Sequence, residues 1–202
     1  VRLHAPQARL AFDTVDLHYL RESRAAALDP RPELQRQAES TRRQELKLIR
    51  ECDVTLVVSK VEQELLATDA PGARVEILSN VHAIHGCGNG FDERSGLLFV
   101  GGFQHPPNID AMLWFVREVL PRVHAALPEV HLDIVGSKMV PEIEALAGDK
   151  VVVHGFVEDI EPMLEAARIS LAPLRYGAGV KGKVNMAMSY GLPVVATPMA
   201  VD

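Results

Sequence analysis

A glycine-rich, basic loop lies between two apolar segments near the end of the chain. The stretch from Ser170 to Pro198 reads SLAPLRYGAGVKGKVNMAMSYGLPVVATP. Its order predicts a buried strand, a loop, a helix and a second buried strand, so backbone N–H groups and basic side chains would meet at a helix N-terminus. Such a place favours an anion, and we expect a phosphate-bearing ligand; a surface loop with solvated lysines is the alternative. The candidate residues are Arg175, Gly177, Gly179, Lys181 and Lys183.

A glycine pair follows the first predicted strand of the second half of the chain. Gly101 and Gly102 belong to the segment VGGF, which lacks the third glycine of a dinucleotide-binding fingerprint, so a plain tight turn is the alternative. Asn108 is predicted to be a helix N-cap. In a doubly wound sheet the ends of the first and fourth strands border one crevice. This pattern would bring the glycine pair close to the basic loop.

Two more strand ends carry candidate residues. The backbone of Phe156 and Val157, in the turn HGFVED, could contact a base; a loop with a helix cap at Asp159 is the alternative. Asp16 and His18 follow the first strand of the chain and could do acid–base or hydroxyl-binding work. A cap and a hydrogen-bonded histidine are the alternative there.

Composition excludes several classes of protein. The chain has 202 residues, 48% of them hydrophobic, and a net charge of −6, which disfavours a general nucleic-acid binder. Two cysteines without CxxC spacing indicate a reducing compartment, so we expect a cytoplasmic protein. The apolar runs are far shorter than the roughly 20 residues of a bilayer span. His82, His85 and Cys87 lack a fourth ligand at an interpretable distance, so no metal site is predicted.

Strand and helix patterns alternate along the chain. Five predicted strands and four predicted helices after residue 96 call for right-handed crossovers and a parallel, doubly wound sheet. Residues 1–80 show the same alternation incompletely, with a loop and short helix over 17–32, a capping box at Ser59 and a linker over 79–95. We therefore predict an α/β fold in two domains. Residues 1–88 would be part of one Rossmann-like domain and residues 89–202 a second one, and we interpret the chain as a fragment.

The second half resembles, block by block and in order, the C-terminal domain of glycosyltransferase family 4. The blocks are LLFVGGFQHPPNIDAMLWF, VHLDIVGS, VVVHGFVEDIEPMLEAARISLAPLRYGAGVKGKV and GLPVVATP. A weaker likeness covers residues 8–80, through FDTVDLHYLRE and CDVTLVVSKVEQELL. Members of this family are retaining enzymes of the GT-B fold, which bind a nucleotide-sugar between two Rossmann-like domains.

The resemblance implies a role for each candidate residue. Gly101 and Gly102 would line the diphosphate, and the segment from Gly177 to Lys183 would hold the phosphates and the donor sugar. The backbone of Phe156 and Val157 would meet the base. His18, with Asp16 beside it, would lie near the transferred sugar as the catalytic group.

The resemblance also implies an activity. It is that of a bacterial, cytoplasmic enzyme of cell-surface polysaccharide synthesis, which moves a hexose from a nucleoside diphosphate sugar to a glycan or lipid-linked acceptor with retention. No cofactor or metal is expected, because lysines and helix N-termini can stabilise the leaving diphosphate. No nucleic-acid partner is expected, and any peripheral membrane contact would come from segments outside this chain. The chain alone is predicted to be inactive.

Two departures from the family pattern open an alternative. The family's diphosphate-binding Arg and Lys are replaced by Gly102 and Pro107, so the lysines of the basic loop, with Arg175, would have to supply the charge. The family's two glutamates are replaced by Ala178 and Met186, which removes the ribose-binding carboxylate. A non-catalytic nucleotide- or glycan-binding module on the same scaffold is therefore the second hypothesis.

Two other enzyme classes are disfavoured. An epimerase of similar two-domain build would need a pair of carboxylates in the crevice, and the sequence offers none that is convincing. A dinucleotide oxidoreductase would need the full glycine fingerprint and an acidic residue after the second strand, and both are missing.

Overall fold

The computed structural model describes residues 3–201, which form two compact units. The first unit comprises the described residues up to Val81 together with Tyr176–Val180, and the second comprises His82–Arg175 and Lys181–Val201. The predicted domain division at residue 88 stays a prediction.

The first unit contains a parallel three-stranded sheet in the order β1-β2-β3. Its elements are β1 (Ala11–Asp13), α1 (His18–Leu28), α2 (Pro32–Glu51), β2 (Val54–Val57), α3 (Lys60–Asp69) and β3 (Val75–Ile77). Ser59 caps α3 as predicted, since its Oγ accepts a hydrogen bond from the Glu62 backbone N–H at 3.2 Å. The Glu62 carboxylate does not close the capping box on Ser59 but accepts from the N–H of Val58 and Leu17 instead.

The helix α1 is longer than the short helix predicted for this region, and carboxylates from distant elements hold its N-terminus. Leu17, at its N-cap position, offers no side-chain cap. Glu62 accepts from the N–H of Leu17 at 3.0 Å, and Glu45 accepts from the N–H groups of His18 and Tyr19 at 3.1 and 2.9 Å. Negative charge at a helix N-terminus is stabilising, and these two buried carboxylates replace the missing local cap.

The second unit contains a parallel five-stranded sheet in the order β6-β5-β4-β7-β8, which confirms the predicted α/β, doubly wound fold. Its strands are β4 (Ser95–Val100), β5 (Leu132–Val135), β6 (Val151–Gly155), β7 (Ala167–Ala172) and β8 (Val194–Ala196). Its helices are α4 (Pro106–Trp114), α5 (Leu120–Ala126), α6 (Pro141–Glu144), α7 (Glu161–Ala166) and α8 (Gly182–Ser189). The first and fourth strands of this unit, β4 and β7, are neighbours, as predicted.

Successive residues of β4 pack into different cores on the two faces of the sheet, as the period of two requires. Leu97 and Phe99 join Met112 and Phe115 in one core, and Leu98 joins Leu164 in the other. The linker before β4 is irregular apart from a 3₁₀ turn at Phe91–Glu93.

The long helix predicted over 108–127 contains a wide turn. Between α4 and α5 lies a π-helical segment, Phe115–Val119, where the N–H of Leu120 bonds to the carbonyl of Phe115. Pro121 has no N–H to donate to the carbonyl of Arg117, so the regular pattern cannot continue. Over residues 3–201, no helix combines the length and the apolar character that a membrane span requires.

Candidate functional site

The turns after β4 and β5 are hydrogen-bonded to each other at the carboxyl edge of the sheet. The N–H of Gly101 donates to the Val135 carbonyl at 3.0 Å, and the N–H of Phe103 donates to Ser137 at 2.8 Å. A Cβ at Gly136 would lie 1.7 Å from the Gly101 carbonyl oxygen, so position 136 has room only for glycine. Gly136 was not among the predicted residues, although it follows its strand in VGS much as Gly101 follows β4 in VGGF.

Lys183, in the first turn of α8, reaches the glycine turn after β4. Its Nζ donates to Asn108 Oδ1 at 2.6 Å and lies 4.0 Å from the centre of the Phe99 ring. A Cβ at Gly101 would lie 3.0 Å from this Nζ, so the absence of a side chain there gives the ammonium its space. The structure therefore brings together Gly101 and Lys183, two of the predicted phosphate-binding residues.

The surroundings of Lys183 disfavour its charge. Burial and, as a smaller cause, the nearby positive charge of Lys181 together lower the pKa of the ammonium to about 7. Its hydrogen-bond acceptor is a neutral amide rather than a carboxylate. An anionic ligand would supply the missing negative charge, so this is a suitable place for a phosphate.

Asn108 is part of this site and not the helix cap that the sequence predicted. The helix begins at Pro106, with His105 at the N-cap position, since two prolines favour an earlier start. The buried side chain of Asn108 donates from Nδ2 to the Gly102 carbonyl at 2.8 Å and accepts from Lys183 through Oδ1. It therefore links the glycine turn to the lysine.

Arg175 is engaged by an acidic partner. Its Nε donates to Asp110 Oδ2 at 2.9 Å, and its Nη2 bonds to Oδ1 of the same carboxylate. The guanidinium is therefore held by α4 through a bidentate pair. Lys181 occupies the N-cap position of α8 and is half-buried.

Gly177 and Gly179 pack within the first unit. The carbonyl of Gly177 accepts from Arg24 Nη1 at 2.7 Å. Gly179 has a φ of 67°, and a Cβ there would lie 2.9 Å from the Cβ of Asp16. Both the positive φ and the close approach require glycine at this position. Gly179 and Asp16, two predicted site residues, are therefore neighbours.

His18 and Asp16 form a small network with acidic and basic neighbours. His18 Nδ1 lies 3.1 Å from Glu45 Oε1 and 3.4 Å from Asp16 Oδ1, and Asp16 pairs with Arg21. The imidazole is about half exposed, with its Nδ1 side held by carboxylates. With the proton on Nδ1, Nε2 is left as an acceptor. Glu45 was missed by the sequence reasoning, although it stands one turn before Ile49 on the buried stripe of α2.

The turn after β6 carries the two residues predicted to meet a base. Phe156 is 73% exposed, and Val157 is half-buried against the core formed by Leu98 and its neighbours. Ile160, and not Asp159, occupies the N-cap position of α7, and Asp159 accepts from the N–H of Glu161 at 3.1 Å from one residue earlier in the loop. The base-binding role stays a prediction.

The linker histidine His85 and the two positions that lack the family's glutamates, Ala178 and Met186, also have contacts in the structure. His85 stacks on Tyr190 with ring centres 4.3 Å apart, and residues 3–201 contain no group of three or more acidic, His or Cys side chains arranged to hold a metal ion. Met186 packs against the core that contains Leu98 and Leu164, and Ala178 is buried. Neither position offers a ribose-binding carboxylate.

The parallel sheets and their linked carboxyl-edge turns define an α/β protein of the Rossmann-like type. A family model described as glycosyl transferases group 1 matches residues 94–202, more than half of the chain. The chain belongs to this family. A search of curated proteins found no match.

Solved structures of GT-B glycosyltransferases share the fold. TarM is 16% identical, with a TM-score of 0.66, over 79% of this chain and 32% of TarM. Anabaena HepE, in complex with UDP and glucose, is 16% identical, with a TM-score of 0.65, over 94% of this chain and 53% of HepE. Sucrose-phosphate synthase from Thermosynechococcus elongatus is 18% identical, with a TM-score of 0.58, over 80% of this chain and 44% of the synthase. The chain therefore spans about a third to a half of these proteins.

Proposed function

We propose that the protein is a retaining glycosyltransferase of family 4 that moves a hexose from a nucleoside diphosphate sugar to a glycan or lipid-linked acceptor. Membership of the group 1 family supports glycosyl transfer in general. HepE was crystallised with UDP and glucose, and a mutant of S. aureus TarM with fondaparinux, α-GlcNAc-glycerol and UDP, which supports a nucleotide-sugar donor and a saccharide acceptor. We place the reaction in the bacterial cytoplasm, in the synthesis of cell-surface polysaccharide.

The observation that carries the proposal is the half-buried side chain of Lys183, whose ammonium lies beside the glycine turn. In glycosyl transfer the diphosphate leaves with negative charge that grows in the transition state. A preorganised cation in a partly dehydrated site stabilises that charge more than solvent does. Asn108 fixes the ammonium without neutralising it, because an amide oxygen carries no net charge. In this proposal Asp16 and His18 act on the sugar side of the reaction.

Binding of UDP to purified protein, measured by calorimetry, tests the proposal. Lys183→Ala, alone or with Lys181→Ala, is expected to weaken binding by about tenfold or more, since a charge-assisted contact to phosphate is lost. Lys150→Ala is the matched control. This lysine precedes β6 at the amino edge of the same sheet and pairs with Glu129 at 3.1 Å. Equal UDP affinity in all variants would contradict the proposal.

Met186 favours a second candidate, the non-catalytic module. It packs against an apolar core where the family places a glutamate, so a ligand's ribose would find no carboxylate at this position. Donor hydrolysis and sugar transfer by the full-length protein distinguish the two. UDP binding without either reaction would favour the module, and turnover that His18→Ala removes would favour the enzyme.

A further inference from the structure

A groove beside α4 is lined by residues of which only Arg175 is also a candidate for the phosphate site. Its volume is about 540 Å³. The lining residues all belong to the second unit, and they are Asp110, Leu113, Trp114, Arg117, Glu118 and Arg175. We propose that this groove binds a neutral saccharide, such as a segment of a glycan, independently of the nucleotide.

The charges of the groove favour a neutral ligand. Two arginines, Arg117 and Arg175, are balanced by two carboxylates, Asp110 and Glu118. A phosphate or a sulfated chain would meet the carboxylates as well as the arginines. A polyhydroxylated ligand needs both kinds of group, because each hydroxyl can accept from a guanidinium and donate to a carboxylate. The Asp110 and Arg175 side chains are already fixed by their bidentate pair, so less side-chain freedom is lost on binding.

Trp114 supplies the apolar surface that a sugar ring requires. One face of a pyranose presents C–H groups, and these pack on the ring of an aromatic side chain. Trp114 is half-buried and follows Asp110 by one helical turn, and Leu113 lies beside it on the same face. The aromatic platform and the hydrogen-bonding pair are therefore neighbours along the helix.

The backbone next to Trp114 departs from regular helix. The π-helical segment Phe115–Val119 begins immediately after it and contains Arg117 and Glu118. The wide turn changes the direction in which these two side chains leave the helix, relative to Asp110 and Trp114. Segments of this kind recur at functional sites, and here Pro121 keeps the wide turn in place.

Trp114 is the only tryptophan in the chain, so tryptophan fluorescence reports on the groove directly. Titration with maltotriose and with N,N′,N″-triacetylchitotriose should give a saturable change in tryptophan fluorescence for at least one of them, with a dissociation constant of about 0.1 to 10 mM. Arg175→Ala is expected to weaken that binding at least about fivefold, since it removes one half of the bidentate pair. Lys150→Ala, in another ion pair of the same unit, should leave it unchanged.

Three results of the saccharide and sorbitol measurements would overturn the proposal. One is the absence of a saturable change with both trisaccharides at concentrations up to about 50 mM. A dissociation constant above that concentration would mean negligible binding. Another is the same change with sorbitol, which has no ring to pack on the indole. The third is trisaccharide binding to Trp114→Ala, measured by calorimetry, as tight as to the parent chain.

The proposal is separable from the proposed donor site. Lys183→Ala should lose UDP affinity and keep the trisaccharide-induced fluorescence change. A protein that binds no UDP but binds trisaccharide would disprove the donor site alone. A fluorescence change caused by UDP and abolished in Lys183→Ala would instead assign Trp114 to the nucleotide site and overturn the saccharide proposal.

Discussion

At the scale of single residues, the charge of Lys183 depends on what it contacts. In an unfolded chain its ammonium titrates near pH 10.5, and in the folded protein burial and Lys181 lower the pKa to about 7. Because the folded-state pKa is the lower one, the protonated form costs stability. That cost is absent at strongly alkaline pH, grows as the pH falls below 10.5 and reaches its full value below about 7.

Nucleotide binding should therefore be coupled to protonation of Lys183. At about pH 8 the free site is mostly neutral, and a bound diphosphate favours the ammonium form, so about one proton should be taken up per UDP. Calorimetry in buffers of different ionisation enthalpy measures this uptake, and UDP affinity should fall as the pH rises above 7. Lys183→Arg is the control, because its guanidinium stays charged and should bind UDP without uptake. Equal uptake in parent and variant would assign the proton to another group.

Asn108 should matter for both affinity and stability. Asn108→Ala removes the acceptor that fixes Lys183 and the donor that holds the Gly102 carbonyl. We expect a loss of about 1 to 3 kcal/mol in the free energy of unfolding, since the carbonyl is left without its partner. We expect UDP binding to weaken by about three- to tenfold. Urea unfolding and calorimetry measure the two effects, and unchanged UDP affinity would show that Lys183 needs no support from Asn108.

At the scale of elements, the turns at the carboxyl edge depend on the close approach of two backbones. Gly136→Ala would place a Cβ 1.7 Å from the Gly101 carbonyl oxygen, so one of the two turns would have to move. We expect the variant to lose about 2 kcal/mol or more of stability and to bind UDP more weakly. Gly148→Ala is the control in the same unit, because a Cβ there meets nothing within 4 Å. The urea midpoint of Gly136→Ala should therefore lie below that of Gly148→Ala. Equal midpoints would contradict the close contact between the two turns.

Local patterns predicted most elements of the second sheet and its neighbours. Alternating apolar strands and amphipathic helices allow few arrangements once crossovers are right-handed, and so the adjacency of β4 and β7 could be predicted. The basic loop was assigned to a strand end for the same reason. The right-handed crossover rule therefore predicted which edge of the sheet carries the candidate site. It also predicted that the basic loop, which contains Lys183, lies close to Gly101.

The missed features depend on residues far apart in the chain. The full length of α1 was not predicted because Glu45 and Glu62, the carboxylates at its N-terminus, lie 27 and 45 positions from the N–H groups they accept from. Asn108 was misassigned because Pro106 and Pro107 start the helix before it. The pairing of Arg175 with Asp110, 65 positions away, has no local signal, and the phosphate role of Arg175 stays a prediction.

At the scale of the whole molecule, each hydrophobic core draws its residues from one unit. Leu17, Ile49 and Leu66 belong to the core of the first unit, whereas Phe99 and Leu98 belong to two cores of the second. Trp114 lies in the second unit, so its fluorescence follows the unfolding of that unit, and circular dichroism follows both. A chain with separate cores is expected to depart from a single two-state transition.

Substitutions in the two units should therefore shift different transitions. In the second unit Arg94 is 2% exposed and donates to the carbonyls of Asn89, Leu164 and Tyr190. Arg94→Ala leaves these carbonyls unpaired and should lower the urea midpoint seen by tryptophan fluorescence, at a cost of about 3 kcal/mol.

In the first unit Glu62→Ala removes the buried acceptor for the N–H groups of Leu17 and Val58. It should shift the part of the circular dichroism transition that comes from the first unit to lower urea and leave the fluorescence midpoint within error of the parent chain. The lost contacts belong to the first unit, whose core contains Leu17, whereas Trp114 lies in the second unit. Glu129→Ala, which breaks an exposed pair with Lys150, is a control that should move neither signal. Equal shifts of both signals in Arg94→Ala and Glu62→Ala would mean that the two units unfold as one.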